Sequence, residues 1–321
     1  MYTDKSYQKI LNKGSPLLSI TRKLREKIRR KPTQAVLETT NACNLNCPFC
    51  MVGMQNERTA KSGTAAHSLM TRPSGFMSSE TFNIIHKELK KFGIRKVYLH
   101  FQGEPFLNKQ TPQFANELKK DSFEVGIFTN GQVFNDENIE ELVMAEIDLI
   151  RFSVDGASEE VYQQNRVGGR FDKVYENMKK VAFAHRGKKT RIEWQFLVLK
   201  NNEHEVETAK RLAHEIRVQF FTKGYRESVP ELAPQNPDYR ATYHKKPCKD
   251  IYHQIGIYWN GDVVPCCYDV DGSMIMGNLC DENLSNIWNN EKYRDFRERV
   301  KNCLKFTNNE PQICRNCLRW Q

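Results

Sequence analysis

Apolar residues recur along this chain with two alternating periods. Short runs rich in β-branched and aromatic residues predict strands at 34–40, 96–101, 123–129, 148–154, 190–199 and 217–222. Between them, apolar positions three and four apart predict helices near 78–92, 111–120, 137–145, 171–186 and 203–215. Six strands alternating with five helices imply a parallel sheet with right-handed crossovers. The expected fold class is α/β, a partial (β/α)6 barrel with its chemistry at the C-terminal ends of the strands. The first crossover carries a long polar segment, roughly 52–77, expected to form a loop or lid. Residues 226–247 hold four prolines and little periodicity and read as a linker. Beyond them, 255–261 predicts one arm of a β-hairpin turning at Asn260-Gly261, and a helix follows at about 291–301. The expected organisation is a basic arm at 1–33, a barrel at 34–230 and a small C-terminal module at 231–321.

Charge changes this picture only at the N-terminus. The net charge is 49 − 39 = +10. Residues 1–34 hold ten Lys/Arg and two acids, a net of +8, so the body is nearly neutral and is not expected to bind nucleic acid. Within the arm, Ser15, Pro16 and Pro32 bracket a helix at 15–31 with Leu17, Ile20, Leu24 and Ile28 on one face. It is expected to strap onto the barrel or to contact an anionic partner. No apolar run approaches the roughly 20 residues of a membrane span. The N-terminus lacks the apolar region of a secretory signal. A cytoplasmic protein is expected.

The cysteines bring in the chemistry. Ten lie at 43, 47, 50, 248, 266, 267, 280, 303, 314 and 317. A secreted disulfide scaffold would spread them through a short chain. Here Cys43-Asn-Leu-Asn-Cys47-Pro-Phe-Cys50 follows the first strand, and seven cysteines crowd the end. A closed zinc or iron–sulfur site takes four protein ligands. Three thiolates in one loop leave a metal position open for substrate or cofactor. A zinc site completed by a distant histidine stays open at this point.

The C-x3-C-x2-C spacing, with aromatic Phe49 before its last cysteine, resembles the radical S-adenosylmethionine (radical SAM) superfamily. The resemblance recurs at the predicted strand ends. Gln102-Gly103-Glu104-Pro105 is similar to the family's GGEP motif, with Gln102 in place of its first glycine. Thr129-Asn130-Gly131 matches a family turn, and Ser153-Val154-Asp155-Gly156 falls where the family contacts ribose and carboxylate. Arg166 is similar to an arginine that pairs with the SAM carboxylate. The resemblance implies that Cys43, Cys47 and Cys50 hold a [4Fe–4S] cluster whose open iron chelates SAM. Phe49, Gln102, Gly103, Glu104, Pro105, Asn130, Ser153, Asp155 and Arg166 are then its cofactor contacts. A flavodoxin- or ferredoxin-type reductant is implied as a partner.

The C-terminal pattern, Cys248, Gly261-x4-Cys266 and Cys314-x2-Cys317, resembles the SPASM/twitch modules of the same family. It implies one auxiliary [4Fe–4S] cluster held by Cys248, Cys266, Cys314 and Cys317. The C-x2-C-x5-C-x3-C string of the full two-cluster module is absent. A structural zinc ribbon is the competing reading. Cys267, Cys280 and Cys303 are left over, as small buried apolar residues, as hydrogen-atom donors in the case of Cys267 and Cys280, or as a replacement for one of the assigned ligands. The spacing is most similar to the twitch-type aminocyclitol dehydrogenases of butirosin biosynthesis. That resemblance implies oxidation of a secondary alcohol of a sugar or cyclitol. Radical epimerisation, peptide crosslinking and a non-enzymatic electron carrier are the alternatives, so the substrate is a small molecule or a peptide. His100 and Tyr225 are base candidates by position. Gln195 and Lys223 are candidate substrate contacts.

Overall fold

The computed structural model describes residues 31–62, 70–225, 229–240, 248, 250–302, 311–315 and 317. The expected N-terminal helix and Cys303 lie outside them. Six strands, β1 (Gln34–Leu37), β2 (Lys96–Leu99), β3 (Glu124–Thr129), β4 (Leu149–Ser153), β5 (Arg191–Leu197) and β6 (Gln219–Lys223), pair in parallel in sequence order. The predicted strand positions hold, and β1 and β2 end three and two residues earlier than expected on the side that carries chemistry. There the backbone leaves the ladder to form the site loops.

One face of the sheet is apolar. Ala35, Leu37, Val97, Leu99, Val125, Ile127, Phe152 and Trp194 are fully buried in one core. The crossover helices cover this face, each at its predicted place: α2 (Ser79–Phe92), α3 (Thr111–Lys120), α4 (Asp136–Met144), α6 (Phe171–Ala184) and α7 (Val206–Glu215). Helix α2 shows why the local signals sufficed. Ser78 caps it by accepting from the Thr81 amide, Phe82, Ile85 and Leu89 bury its apolar stripe, and Gly93 ends it at φ 91°.

Two helices escaped the periodicity. The expected loop at 52–77 begins with α1 (Met51–Ser62), continuous with the cysteine loop, and α5 (Glu159–Asn165) precedes Arg166. Helix α1 buries Val52 and sets Gly53 and Asn56 against the cysteine loop, so it lacks a continuous apolar stripe over its first two turns, and α5 is less than two turns long. The expected linker is also more ordered than a free tether over 229–240. Lys200 N donates to Leu232 O, Asn236 N to the Glu203 carboxylate, and Tyr225 forms a bridge with Arg240.

The C-terminal hairpin forms as predicted, β7 (Gln254–Ile257) and β8 (Asp262–Val264), with Gly261 at φ 90° in the turn. Its placement was not foreseen. β7 pairs in parallel with β1, and β9 (Gly277–Asn278) follows β8, so a single nine-stranded sheet runs β6-β5-β4-β3-β2-β1-β7-β8-β9. Helices α8 (Leu284–Asn289), α9 (Glu291–Asn302) and α10 (Gln312–Arg315) complete the chain. Leu284, Ile287 and Trp288 join the main core. No helix among the described residues is long and apolar enough to cross a membrane.

Candidate active site

The cysteine loop is fastened from three sides. Asn56 on α1 donates to the carbonyls of Cys43 (3.0 Å) and Leu45 (3.2 Å). A Cβ on Gly53 would meet the Cys47 backbone at 2.3 Å, so α1 rests directly on that peptide. Asn46 N donates to Val167 O, tying the loop to the turn after α5.

Around it converge the strand-end residues. Gly103 stands at φ 76°, and a side chain there would strike the carbonyls of Ala42 and Thr40 at 2.5 and 2.6 Å. Glu104 is 1% exposed. It accepts from Thr129 Oγ1 and Asn130 N, both at 2.7 Å, and from Phe106 N, while its own amide donates to Ala42 O. Pro105 begins the 3-10 turn that Glu104 caps. Asn130 Nδ2 lies 2.9 Å from Asn44 Oδ1 and 3.9 Å from Cys43 Sγ. Asp155 is fully buried and accepts from Arg166 Nε and from Leu197 N, each at 2.7 Å. Arg166 in turn lies 3.8 Å from Cys47 Sγ and 5.5 Å over the Phe49 ring. Gln102 acts through its backbone, donating to Glu38, and Ser153 ends β4 half-exposed.

Burial sets the electrostatics. Desolvation, with Glu104, Cys47 and Cys50 adding like charge, pushes the Cys43 thiol up to about 12. Desolvation likewise pushes Cys47 up to about 11, opposed by Arg166. Glu104 is raised to about 7 by desolvation, against its three hydrogen bonds. Thiols so poor at ionising alone fit a site where bound metal supplies the compensating charge. Three of them on one loop could hold three irons of a cubane and leave the fourth open.

The second group of cysteines lies at the other end of the strands. Cys267 Sγ accepts from Gln254 Nε2 at 3.4 Å, and Gln254 Oε1 accepts from Gln34, so both glutamines mark the N-terminal ends of β7 and β1. Cys266 is pushed well up by its hydrogen bond with Cys267 and by desolvation, with Cys248 and Cys317 also nearby. Cys317 N donates to Cys314 O in the closing turn. Cys248, Cys266 and Cys317 come together, with Cys267 as a neighbouring thiol that the sequence left unplaced. Among the described residues, no three His, Cys, Asp or Glu side chains close to the spacing of a single ion. In a cubane each cysteine binds its own iron.

Two candidates part from the site, and a third stays in it with a different character. Tyr225 is 2% exposed, and its hydroxyl donates to Val229 O and accepts from Val229 N. It braces a turn and does not face the cysteine loop. Cys280 is exposed beside the Gly261 turn, near Glu80 and Asp262, away from the inner face. His100 faces inward, stacked on Phe128 at 4.1 Å. Its burial, with the charges of Lys223 and Arg151, lowers it to about 3, so it is a neutral ring and a weak proton store.

Sequence reasoning missed Glu38 and Arg72. They form a buried pair (2.9 and 3.0 Å) that stacks under Tyr258, while Thr71 and Arg72 bind Asp271. Nothing in the spacing could reveal contacts across about 34 and 200 residues.

Comparison with known proteins agrees with this geometry. Residues 37–192 match the family model described as the radical SAM superfamily, and 248–318 match SPASM, an iron–sulfur cluster-binding domain. The chain is 23% identical over 319 residues to a tungsten-containing aldehyde ferredoxin oxidoreductase cofactor-modifying protein of Pyrococcus furiosus, covering 84% of each. It is 21% identical over 284 residues to the S-adenosyl-L-methionine-dependent 2-deoxy-scyllo-inosamine dehydrogenase of Niallia circulans, covering 88% of this chain and 90% of that one. Streptococcus suis SuiB, solved with its precursor peptide SuiA, shares the fold at a TM-score of 0.67 and 16% identity, over 87% of this chain and 71% of that chain.

Proposed function

We propose that this chain, which carries a radical SAM domain followed by an iron–sulfur SPASM domain and is an enzyme of the radical SAM superfamily, oxidises a secondary alcohol of a sugar, cyclitol or similar small molecule. The observation carrying this reading is the placement of two thiol groups at opposite ends of β1 and β7, with a polar inner face between them. A substrate on that face could lose a hydrogen atom at one end, its hydroxyl proton to solvent water, and an electron toward the other. The relationship to a 2-deoxy-scyllo-inosamine dehydrogenase supports the same reaction class.

In this reading Cys43, Cys47 and Cys50 hold the catalytic [4Fe–4S] cluster, and Cys248, Cys266, Cys314 and Cys317 the auxiliary one. When bound, the first cluster and SAM supply the 5′-deoxyadenosyl radical that takes the substrate hydrogen atom. The chain does the rest. Asp155 fixes Arg166 beside Cys47, where a guanidinium meets the SAM carboxylate. Glu104, desolvated and only partly compensated by the charge of Arg166, accepts from the SAM amino group. Ser153 and Gln195 share one rung of β4 and β5, Asn130 follows the end of β3, and the three are placed for the ribose. His100, kept neutral, accepts a hydrogen bond from the substrate hydroxyl and orients it.

The test follows the two groups separately. Reconstituted protein with dithionite should form 5′-deoxyadenosine from SAM, and Cys43→Ala, Cys47→Ala or Cys50→Ala should form none. Cys317→Ala should keep cleaving SAM abortively while losing oxidised product. Normal product formation by Cys317→Ala would overturn the acceptor role. A thiol-quenched epimerisation is the second reading, favoured by Cys267 lying against Gln254 on the inner side of β7. It requires solvent deuterium in the product, lost in Cys267→Ala.

A further inference from the structure

The inner face of the sheet is built in rungs. Parallel register aligns Ser153, Gln195 and Phe221 in one, with Asn130 just past the end of β3, and Phe128, Arg151 and Glu193 in the next, with His100 stacked on Phe128. Two residues along a strand separate them, roughly 6.6 Å at about 3.3 Å per residue. The upper rung touches the cysteine loop through Asn130. The lower rung is one small molecule's depth farther in.

A guanidinium stands at its centre. The Arg151 side chain is 23% exposed. Its carbon lies 4.3 Å over Phe128 and 4.9 Å over Phe221, so two rings hold its plane. Nε and Nη2 both reach Glu193 Oε2, at 2.8 and 2.7 Å. Glu193 Oε1 is taken by Arg191 at 3.0 Å. One carboxylate is thus shared by two guanidinium groups, and the trio keeps one positive charge. Nη1 of Arg151 has no hydrogen-bond partner among the described residues. Beside it, His100 adds stacking surface without charge.

A cation half-withdrawn from water, fixed between rings and with donors unspent is costly against a neutral ligand and favourable against an oxyanion. We propose that Arg151 is the substrate's anion contact, so that the enzyme takes a small polar substrate bearing a carboxylate or phosphate, seated on the His100–Phe128–Arg151 rung. This rests on the reading above, which puts SAM at the Asn130–Ser153 rung. A purely structural role, bracing Glu193, is the competing explanation. It gives no reason for an anion to bind.

Three hexose probes, glucose, glucuronate and glucose 6-phosphate, separate these accounts. Each is titrated into reconstituted, SAM-bound enzyme and followed by saturation-transfer NMR. At least one anionic hexose should bind about tenfold or more tightly than glucose. Whether glucuronate or glucose 6-phosphate binds better identifies the anion. Arg151→Gln should erase the preference while keeping SAM binding, because Arg191 still compensates Glu193, and Arg151→Lys should retain part of it. Equal binding of the three, binding of none, or a preference surviving Arg151→Gln overturns the proposal. SAM cleavage by the wild type reports separately on the underlying reading. Cleavage without anion preference sinks this inference alone, and absence of cleavage sinks the reading it rests on.

Discussion

Glu104 carries a conflict that burial creates. Its carboxylate ties Phe106, Thr129 and Asn130 together, yet desolvation raises it to about 7. A raised value means that the group is largely neutral below about pH 7 and ionised above. The SAM sulfonium and its N–H donors favour the ionised form. SAM affinity should therefore rise from about pH 6 to about pH 8, measured by equilibrium dialysis on reconstituted protein. Glu104→Gln should weaken binding by about tenfold and flatten that profile. In the ligand-free protein the sign reverses. The contribution of Glu104 to stability is present below its ordinary value near 4.5 and is lost as pH rises through about 7. Gly103 shows a steric constraint of the same kind. Gly103→Ala would drive a Cβ into two carbonyls at positive φ, so iron content per chain should fall even where the protein stays folded. That a glycine was needed there was legible in the motif. That Ala42 and Thr40 are what it must clear was not, since they lie about 60 residues away.

At the scale of elements, the segment after α1 is the most telling. Expected as a loop or lid, its described part, 70–77, is a loop that runs between the barrel and the C-terminal hairpin. Gly75 lies under the Trp259 ring, Asn41 and Thr40 bind its backbone, and Arg72 joins Glu38, Tyr258 and Val270. Glu38 is fully buried and Arg72 nearly so. Removing one partner of a buried pair leaves a bare charge, a cost of about 3–5 kcal/mol. Arg72→Met should lose about that much in urea denaturation. Glu38→Gln combined with Arg72→Met should lose much less, since no charge is then stranded. Equal losses would mean that packing on Tyr258, not charge, holds the strap. The helices themselves were legible because each crossover helix lays a continuous apolar stripe on one sheet face. Helix α1 was not, because a glycine against a peptide and an asparagine against carbonyls do much of its docking, and neither leaves an apolar signal.

At the scale of the whole molecule, β7 joins the two cysteine-bearing regions into one sheet. Ala35 and Leu37 of β1 pack in the same core as Ile255 and Ile257 of β7, together with Trp288 of α8. Unfolding should therefore be a single transition, with tryptophan fluorescence and far-UV circular dichroism superimposing in urea. Two separated transitions would show that the C-terminal region melts alone. The sequence by itself determined the strand–helix alternation, the cysteine loop, the strand-end motifs and the hairpin turn, because each is written in residues close along the chain. It took the tertiary structure to show that the hairpin extends the barrel sheet, that Cys267 stands among the C-terminal thiols while Cys280 and Tyr225 stand apart, and that Arg151 meets Glu193 and Phe221. Those relations depend on strand register and desolvation, which arise when residues far apart in the chain are brought into contact.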